Sequence, residues 1–373
     1  MTPDWRSSID RIRGLVEKEF RQIFRDPRMK RVIFIAPIIQ LVAFGYAVST
    51  DVREVSTFVV DHDRTMASRA LVQAIGAAGY FRVTGRSDRP ADLVRALDHG
   101  HAVAGIEIPR GFAEALQSGE GATVQILLDG TNSNTASVAQ GYLERILLTH
   151  GLAAGAEVRP PIEVRERAWF NPDLSSRDYN VPAVVGSLVL LVSLLLTSLA
   201  VVREREIGTL EQLRVSPLTA GELIWGKTIP FGLIGILDLV IVTVVAVLWF
   251  DIPFRGSPAL LFLASVLYIL SALGVGLLIS TISATQQEAF MASFLVFMPA
   301  ILLSGFMFPI SSMPAAFEWL TLLNPVRHYI EVVRSLFLKG AGFASLWSQF
   351  LALLILGVGL LGFAAARFRR ETR

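Results

Sequence analysis

Apolar residues along this chain gather into six blocks, at residues 32–50, 180–202, 229–250, 258–282, 289–310 and 344–366. Crossing about 30 Å of hydrocarbon takes roughly 20 apolar residues in helical form, so each block is long enough to span a bilayer. The interval 51–179 has a different rhythm, in which short β-branched runs alternate with helical periodicity. The pattern predicts strands at 55–60, 103–108, 124–128 and 162–169, and helices at 68–80, 90–98, 111–117 and 136–149. An α/β domain of about 130 residues is large enough to have its own core. The fold class predicted is an α-helical polytopic membrane protein of six transmembrane helices, with this α/β domain inserted after the first.

Three polar stretches carry helical periodicity of their own. In 1–31, Ile9, Ile12, Val16, Phe20 and Ile23 share one face with Arg and Glu opposite, which predicts a basic amphipathic helix lying on a leaflet. The alternative for that stretch is a solvated helical tail. In the densely charged 203–228, Ile207, Leu210 and Leu213 recur at helical spacing and predict a short amphipathic helix along the membrane surface. The connector 311–343 reads as an amphipathic re-entrant segment, with a short helix starting at Pro314 and a break at Asn324-Pro325.

Charge placement sets the expected orientation. Segment 1–31 holds nine Lys/Arg, 203–227 holds four and the tail 367–373 holds four, so these three are assigned to the cytoplasm. Both termini then fall inside, while 51–179 and the connector fall outside, the connector despite Arg327, Arg334 and Lys339. The insertion carries 17 acids against 13 arginines, which suits an extracytoplasmic place. Ala47-Val48-Ser49 resembles a signal cleavage site, but about 30 residues, acids included, precede the first block, and retention as an anchor is expected.

Composition narrows the chemistry. The chain is 53% hydrophobic and 18% charged with a net charge of +2, which offers nucleic acid no basic stripe. It has no cysteine, so disulfides, thiolate metal sites and cysteine nucleophiles are excluded. The α/β domain has no Gly-x-Gly-x-x-Gly fingerprint, and Asp61, His62 and Asp63 read as a polar turn after a strand rather than metal ligands. Residues 221–228, GELIWGKT, fit the phosphate-loop expression letter for letter. A phosphate loop needs small residues that let backbone N–H groups curl round the anion between a strand and a helix. Here the interior is Leu-Ile-Trp and Pro230 follows, so the segment reads as the start of the third span, with Trp225 and Lys227 anchoring at the interface. Asp238 lies well inside that span, where an ionisable group is costly and defaults to a functional reading, as a contact for a cationic substrate or a proton acceptor. Glu288 falls at the cytoplasmic mouth of the fifth span and completes the candidate substrate or proton path, although an interfacial cap is its simpler role.

The run 200–217, AVVREREIGTLEQLRVSP, continued by Gly226-Lys227 and Pro230, resembles the signature of ABC-2-type transporter permeases. Residues 127–136 (LLDGTNSNTA) and 169–172 (WFNP) resemble the branch with a large insertion after the first span. Residues 303–309 (LSGFMFP), Asn324-Pro325 and 334–340 resemble that family's C-terminal signature, so the likeness covers nearly the whole chain. The resemblance implies a permease subunit of an exporter in the bacterial inner membrane, moving drugs or other amphiphiles. It implies a separate ABC ATPase dimer carrying ATP and magnesium, a second permease subunit (identical or paralogous), and in some members a periplasmic adaptor. This chain would hold no cofactor. The helix at 9–24 and the loop residues Arg203, Glu204, Arg205, Glu206, Gly208, Thr209, Leu210, Glu211 and Arg214 would contact the ATPase. A proton-coupled secondary transporter and a membrane-anchored sensor are the competing classes. Asp238 alone gives the first thin support, and the second lacks an output module.

Overall fold

A computed structural model describes residues 5–47, 54–118, 122–131, 133–153, 170, 175–208 and 218–371. Contacts divide the chain into a helical unit, Met1–Ser49 with Ala168–Arg373, and a second unit, Thr50–Arg167.

The described residues of the second unit form a four-stranded sheet with helices. Strands β1 (Val55–Asp61), β2 (Phe81–Ser87), β3 (Ala104–Ile108) and β4 (Gln125–Leu128) stand in the order β2-β1-β3-β4. Helices α4 (Met66–Ala77) and α5 (Pro90–Asp98) make the crossovers that let β1 run parallel to both neighbours. After α6 (Phe112–Ser118), β4 returns antiparallel to β3, and α7 (Ser133–Ala153) follows. Val59, Leu71, Ile75, Phe81, Ile106 and Leu143 are among its core. Sequence periodicity missed β2, whose burial alternates but whose polar face carries Arg82, Thr84 and Arg86. The strand expected at 162–169 lies outside the described residues.

The helical unit begins with α1 (Trp5–Arg25), then α2 (Pro27–Lys30), a π-helical turn Arg31–Ile35 and α3 (Ala36–Ala47). Among the described residues, four helices are long and apolar enough to cross a membrane: α8 (Ser176–Ile207), α9 (Ala220–Phe250), α10 (Pro258–Ile282) and α14 (Phe343–Glu371). The first and fifth predicted blocks form shorter apolar helices, Ile33–Ala47 and, as α11, Gln286–Leu302. The fifth block therefore does not run helical to 310. Its helix stops at Leu302, and Gly305 takes φ +79° in the turn beyond.

The connector breaks where expected. Helix α12 (Ala315–Thr321) follows Pro314, and α13 (Pro325–Arg334) is capped by Asn324, whose side chain accepts from Val326 N at 3.1 Å. Helix α13 is buried deeper than an interfacial helix would be. Its Tyr329 stacks on Tyr268 of α10 with centroids 4.0 Å apart and planes 5° apart, and bonds Ser265 at 2.7 Å. Arg334 lies over the Tyr179 ring at 3.6 Å and donates to the carbonyls of Tyr179 and Gly305.

Helices α10 and α14 meet backbone to backbone. A Cβ on Gly274 would stand 2.6 Å from Leu361 N, and one on Gly357 would stand 2.8 Å from Leu267 O. Such reciprocal small-residue contact is how helices associate when lipid removes the hydrophobic drive between them.

Candidate coupling site at the end of helix α8

Helix α8 does not stop where the charges begin. It runs on through Arg203, Glu204, Arg205 and Glu206 to Ile207, and Gly208 ends it at φ +80°. The charged segment is thus the last turn of a long helix, and each described charge there has a place.

Glu204 turns inward. Its carboxylate lies 2.9 Å from Lys18 Nζ and 2.8 Å from Lys227 Nζ, and Lys227 also donates to Glu19 at 3.1 Å. Lys18 closes the ring on Glu19 at 3.8 Å. Glu19, Glu204 and Lys227 are buried, so three helices, α1, α8 and α9, share two acids and two lysines that neutralise each other. Leu15 of α1 packs beside this ring into the space left by Gly226, where a Cβ would collide with it. One turn away, Arg11 of α1 donates to Glu222 at 2.7 Å, and that hydrogen bond raises the guanidinium pKa further. Glu222 also forms a capping box with Thr219 at the start of α9.

The next two residues face elsewhere. Arg205 donates to the Ser283 carbonyl at 2.8 Å, and Glu206 accepts from Gln286 N at 2.7 Å and from the Gln286 amide. Both grip the turn between α10 and α11. Glu288 closes that turn by accepting from Ala284 N at 2.7 Å, so it sits as a cap. Arg203 is half-buried, and Thr209, Leu210, Glu211 and Arg214, with the predicted loop helix, lie outside the described residues.

The phosphate-loop lookalike is helix from Ala220 onward. Its Lys227 does not anchor at an interface, as expected from sequence, but is held between Glu19 and Glu204, while Trp225 is exposed. Thr228 donates to the Ile224 carbonyl at 2.6 Å. In the second unit, Asp61 accepts from Asp63 N, Arg64 N and Ser68 Oγ, and Asp63 accepts from Thr65 Oγ1 and Ala113 N, the bonds of a polar turn.

Asp238 is fully buried in α9, and neither carboxylate oxygen has a hydrogen-bond partner among the described residues. One turn before it, a Cβ on Gly235 would stand 2.6 Å from Ser193 Oγ of α8, another buried polar atom without a partner. Asp238 follows Gly235 by three residues on the same helix.

Sequence reasoning missed the partners Arg11, Lys18 and Glu19. The available signal was a Lys-Glu pair on the polar face of α1, but nothing local says that this face meets α9 more than 200 residues later.

A family profile for ABC-2 family transporter proteins matches residues 31–366. The chain is 33% identical over 363 residues to the probable multidrug ABC transporter permease YbhR of Escherichia coli (strain K12), covering 97% of this chain and 99% of that protein. It is 35% identical over 336 residues to the probable multidrug ABC transporter permease YbhS of the same organism, at 88% and 89% coverage. The inner membrane transport permease YhhJ of Escherichia coli (strain K12) is 27% identical over 368 residues, at 95% of each chain.

Proposed function

The chain belongs to the ABC-2 family of transporter proteins and is a membrane permease of that family, and from that premise we propose that it moves drugs or other amphiphilic molecules out of the cytoplasm or the inner leaflet, powered by a separate ATPase dimer. In this reading six helices span the inner membrane of a bacterium, Ile33–Ala47 and Gln286–Leu302 completing the four longer ones. Both termini and the 203–228 segment are cytoplasmic, the α/β unit is extracytoplasmic, and a second permease subunit, identical or paralogous, completes the path. The α/β unit is where a periplasmic adaptor would dock. ATP and magnesium sit on the partner chain.

The observation that carries this reading is the junction at the end of α8, where the last helical turn holds α1 and α9 through Glu204 and the α10–α11 turn through Arg205 and Glu206. A push on this turn reaches α1, α8, α9, α10 and α11 together. Arg203, Glu206 and Gly208, with Thr209, Leu210, Glu211 and Arg214, form the contact side. Glu204 and Arg205 serve as the internal ties that pass the displacement on. Closure of the ATPases on ATP would shift this turn and tilt α8 and α9, opening the face on which Asp238 sits to a cationic substrate group.

The deciding experiment reconstitutes the chain with the ABC ATPase that co-purifies with it. ATP hydrolysis should rise in the presence of the chain, and export should stop when the ATPase is inactivated. Export that survives an inactive ATPase and follows a proton gradient would establish the secondary-transporter reading instead.

A further inference from the structure

We propose that Arg255, in the loop between α9 and α10, is a positioning residue for transport that ties movement of α9 to the two points where the α/β unit joins the helical unit. The chain leaves the helical unit after Ser49 and resumes it at Ala168, so the α/β unit hangs on two covalent links. Residues beside both links meet at the end of α9 opposite the charge ring. Helix α9 has 31 residues and is about 46 Å long, and Pro230 inside it lies nearer the end that carries Glu222 and Lys227. Those two side chains hold its first turns to α1 and α8. At the other end the last residue, Phe250, is buried, with its ring 5.3 Å from that of Tyr46. Gly45 makes the room, since a Cβ there would collide with the Phe250 ring. Gly45 and Tyr46 lie in the last turn of α3, just before the first link.

Arg255 takes up the second link. Its Nη1 donates to the Leu338 carbonyl at 3.1 Å and to the Phe170 carbonyl at 3.4 Å. Its backbone N donates to the Phe337 carbonyl at 3.2 Å, and Phe254 meets Phe337 edge to face at 4.9 Å. Phe337 and Leu338 belong to the π-helical turn Ser335–Lys339 that prolongs α13. A cation beside the last carbonyls of a helix is favourable, and that alone accounts for the bond to Leu338. It does not account for the bond to Phe170, which lies just after the chain re-enters the helical unit. Phe170 takes φ +70°, a conformation that a bulky residue keeps only where its surroundings hold it. One guanidinium nitrogen thus bridges the connector and the returning chain, while the helix before it abuts the departing chain. A tilt of α9 moves both links together. The proposal rests on the reading of α8 and α9 as driven by a partner ATPase.

The chain has no cysteine, so two introduced ones carry spin labels without background. Met66→Cys on the α/β unit and Trp319→Cys on the connector, both exposed positions, are labelled in the full chain, which is assembled in nanodiscs with its co-purifying ABC ATPase. The distance between the labels is compared without nucleotide and with ATP held on a hydrolysis-deficient ATPase. ATP should shift that distance in the otherwise unaltered chain, and Arg255→Ala should remove at least half of the shift. Arg255→Lys, which keeps a cationic donor in place, should restore most of it. An Arg255 that serves stability alone would lower the melting temperature and leave the shift intact. No shift in the unaltered chain, or a full shift in Arg255→Ala, overturns the proposal, while an active ATPase still stimulated by the chain keeps the exporter reading. An ATPase that the chain does not stimulate overturns that reading and the proposal with it. If Arg255→Ala does not assemble, Phe250→Leu, which loosens the first link, decides in the same way: a reduced shift supports the proposal and a full one overturns it.

Discussion

Lys227 Nζ lies 2.8 Å from Glu204 Oε2, and both side chains are buried between helices that start and end far apart in the chain. Lys227→Met would leave Glu19 and Glu204 facing each other with only Lys18 between them. Breaking a buried pair by removing one partner costs about 3–5 kcal/mol, whereas replacing both by apolar groups is often neutral. The double variant Lys227→Met with Glu204→Leu should therefore recover most of the loss, since Lys18 and Glu19 remain to pair. Thermal unfolding of the purified chain in detergent checks this. Equal melting temperatures for the single and double variants would show that no coupled pair exists.

Glu206 is exposed, yet its carboxylate holds both the backbone and the side-chain amide of Gln286. Charge reversal at Glu206, with or without Glu211, should leave assembly and melting nearly unchanged and reduce ATP-driven export at least several-fold. Gln286→Ala should reproduce part of that deficit, because it releases the same turn from the other side. Export and ATPase rates in proteoliposomes give the readout. Full transport by Glu206→Lys with Glu211→Lys would remove this turn from the transmission path.

Much of this architecture is written in local pattern. Apolar blocks mark the long helices, Asn324-Pro325 marks the connector break, and the alternation of runs marks the α/β unit, because burial of one face is a local requirement on sequence. The errors have a common cause in tertiary pairing. The apolar block of α8 ends at Val202 and local pattern separates it from the charged segment that follows, but Glu204 and Arg205 continue the same helix by finding partners on α1, α9 and the α10–α11 turn. Lys227 looked like an interfacial anchor because its partners Glu19 and Glu204 are invisible from its own neighbourhood. Strand β2 was missed because an edge strand exposes one face, and Arg82 and Arg86 there imitate a loop.

Asp92 accepts from Ser87 Oγ, and this bond, aided by Arg95 and Arg89, holds its carboxyl below the ordinary range against a smaller opposing effect of burial. A carboxyl with a depressed folded-state pKa adds stability above its unfolded pKa, and that stability is lost as pH falls through the folded value. Ser87→Ala should thus lower the resistance of the second unit to denaturant at about pH 7, where the carboxylate is ionised on the ordinary scale. The difference from wild type should shrink in acid, where both proteins carry the protonated acid. Urea titrations of the full chain, followed by protease cleavage of the second unit, measure it. A difference that stays constant with pH would assign the effect to Ser87 packing alone.

Asp238 sets stability against function most directly. An acid at the middle of a spanning helix costs ~2.5–3.5 kcal/mol on insertion scales, and neither oxygen of this one has a compensating hydrogen bond among the described residues. A residue kept for packing alone would be replaced at a gain, since a buried polar group without a partner carries a penalty of about 1–3 kcal/mol. Asp238→Leu should accordingly melt at or above the wild-type temperature. If the carboxylate serves the transport path, Asp238→Asn should export cationic substrates at least several-fold more slowly while neutral ones of similar size pass nearly unchanged. Ser193→Ala, which removes a buried hydroxyl of α8 beside Gly235, should leave charge selectivity alone, because only the carboxylate distinguishes a cation. Paired melting curves and efflux assays separate the cases. An Asp238→Asn variant that carries both substrate classes at the wild-type rate would leave the acid without a role in transport.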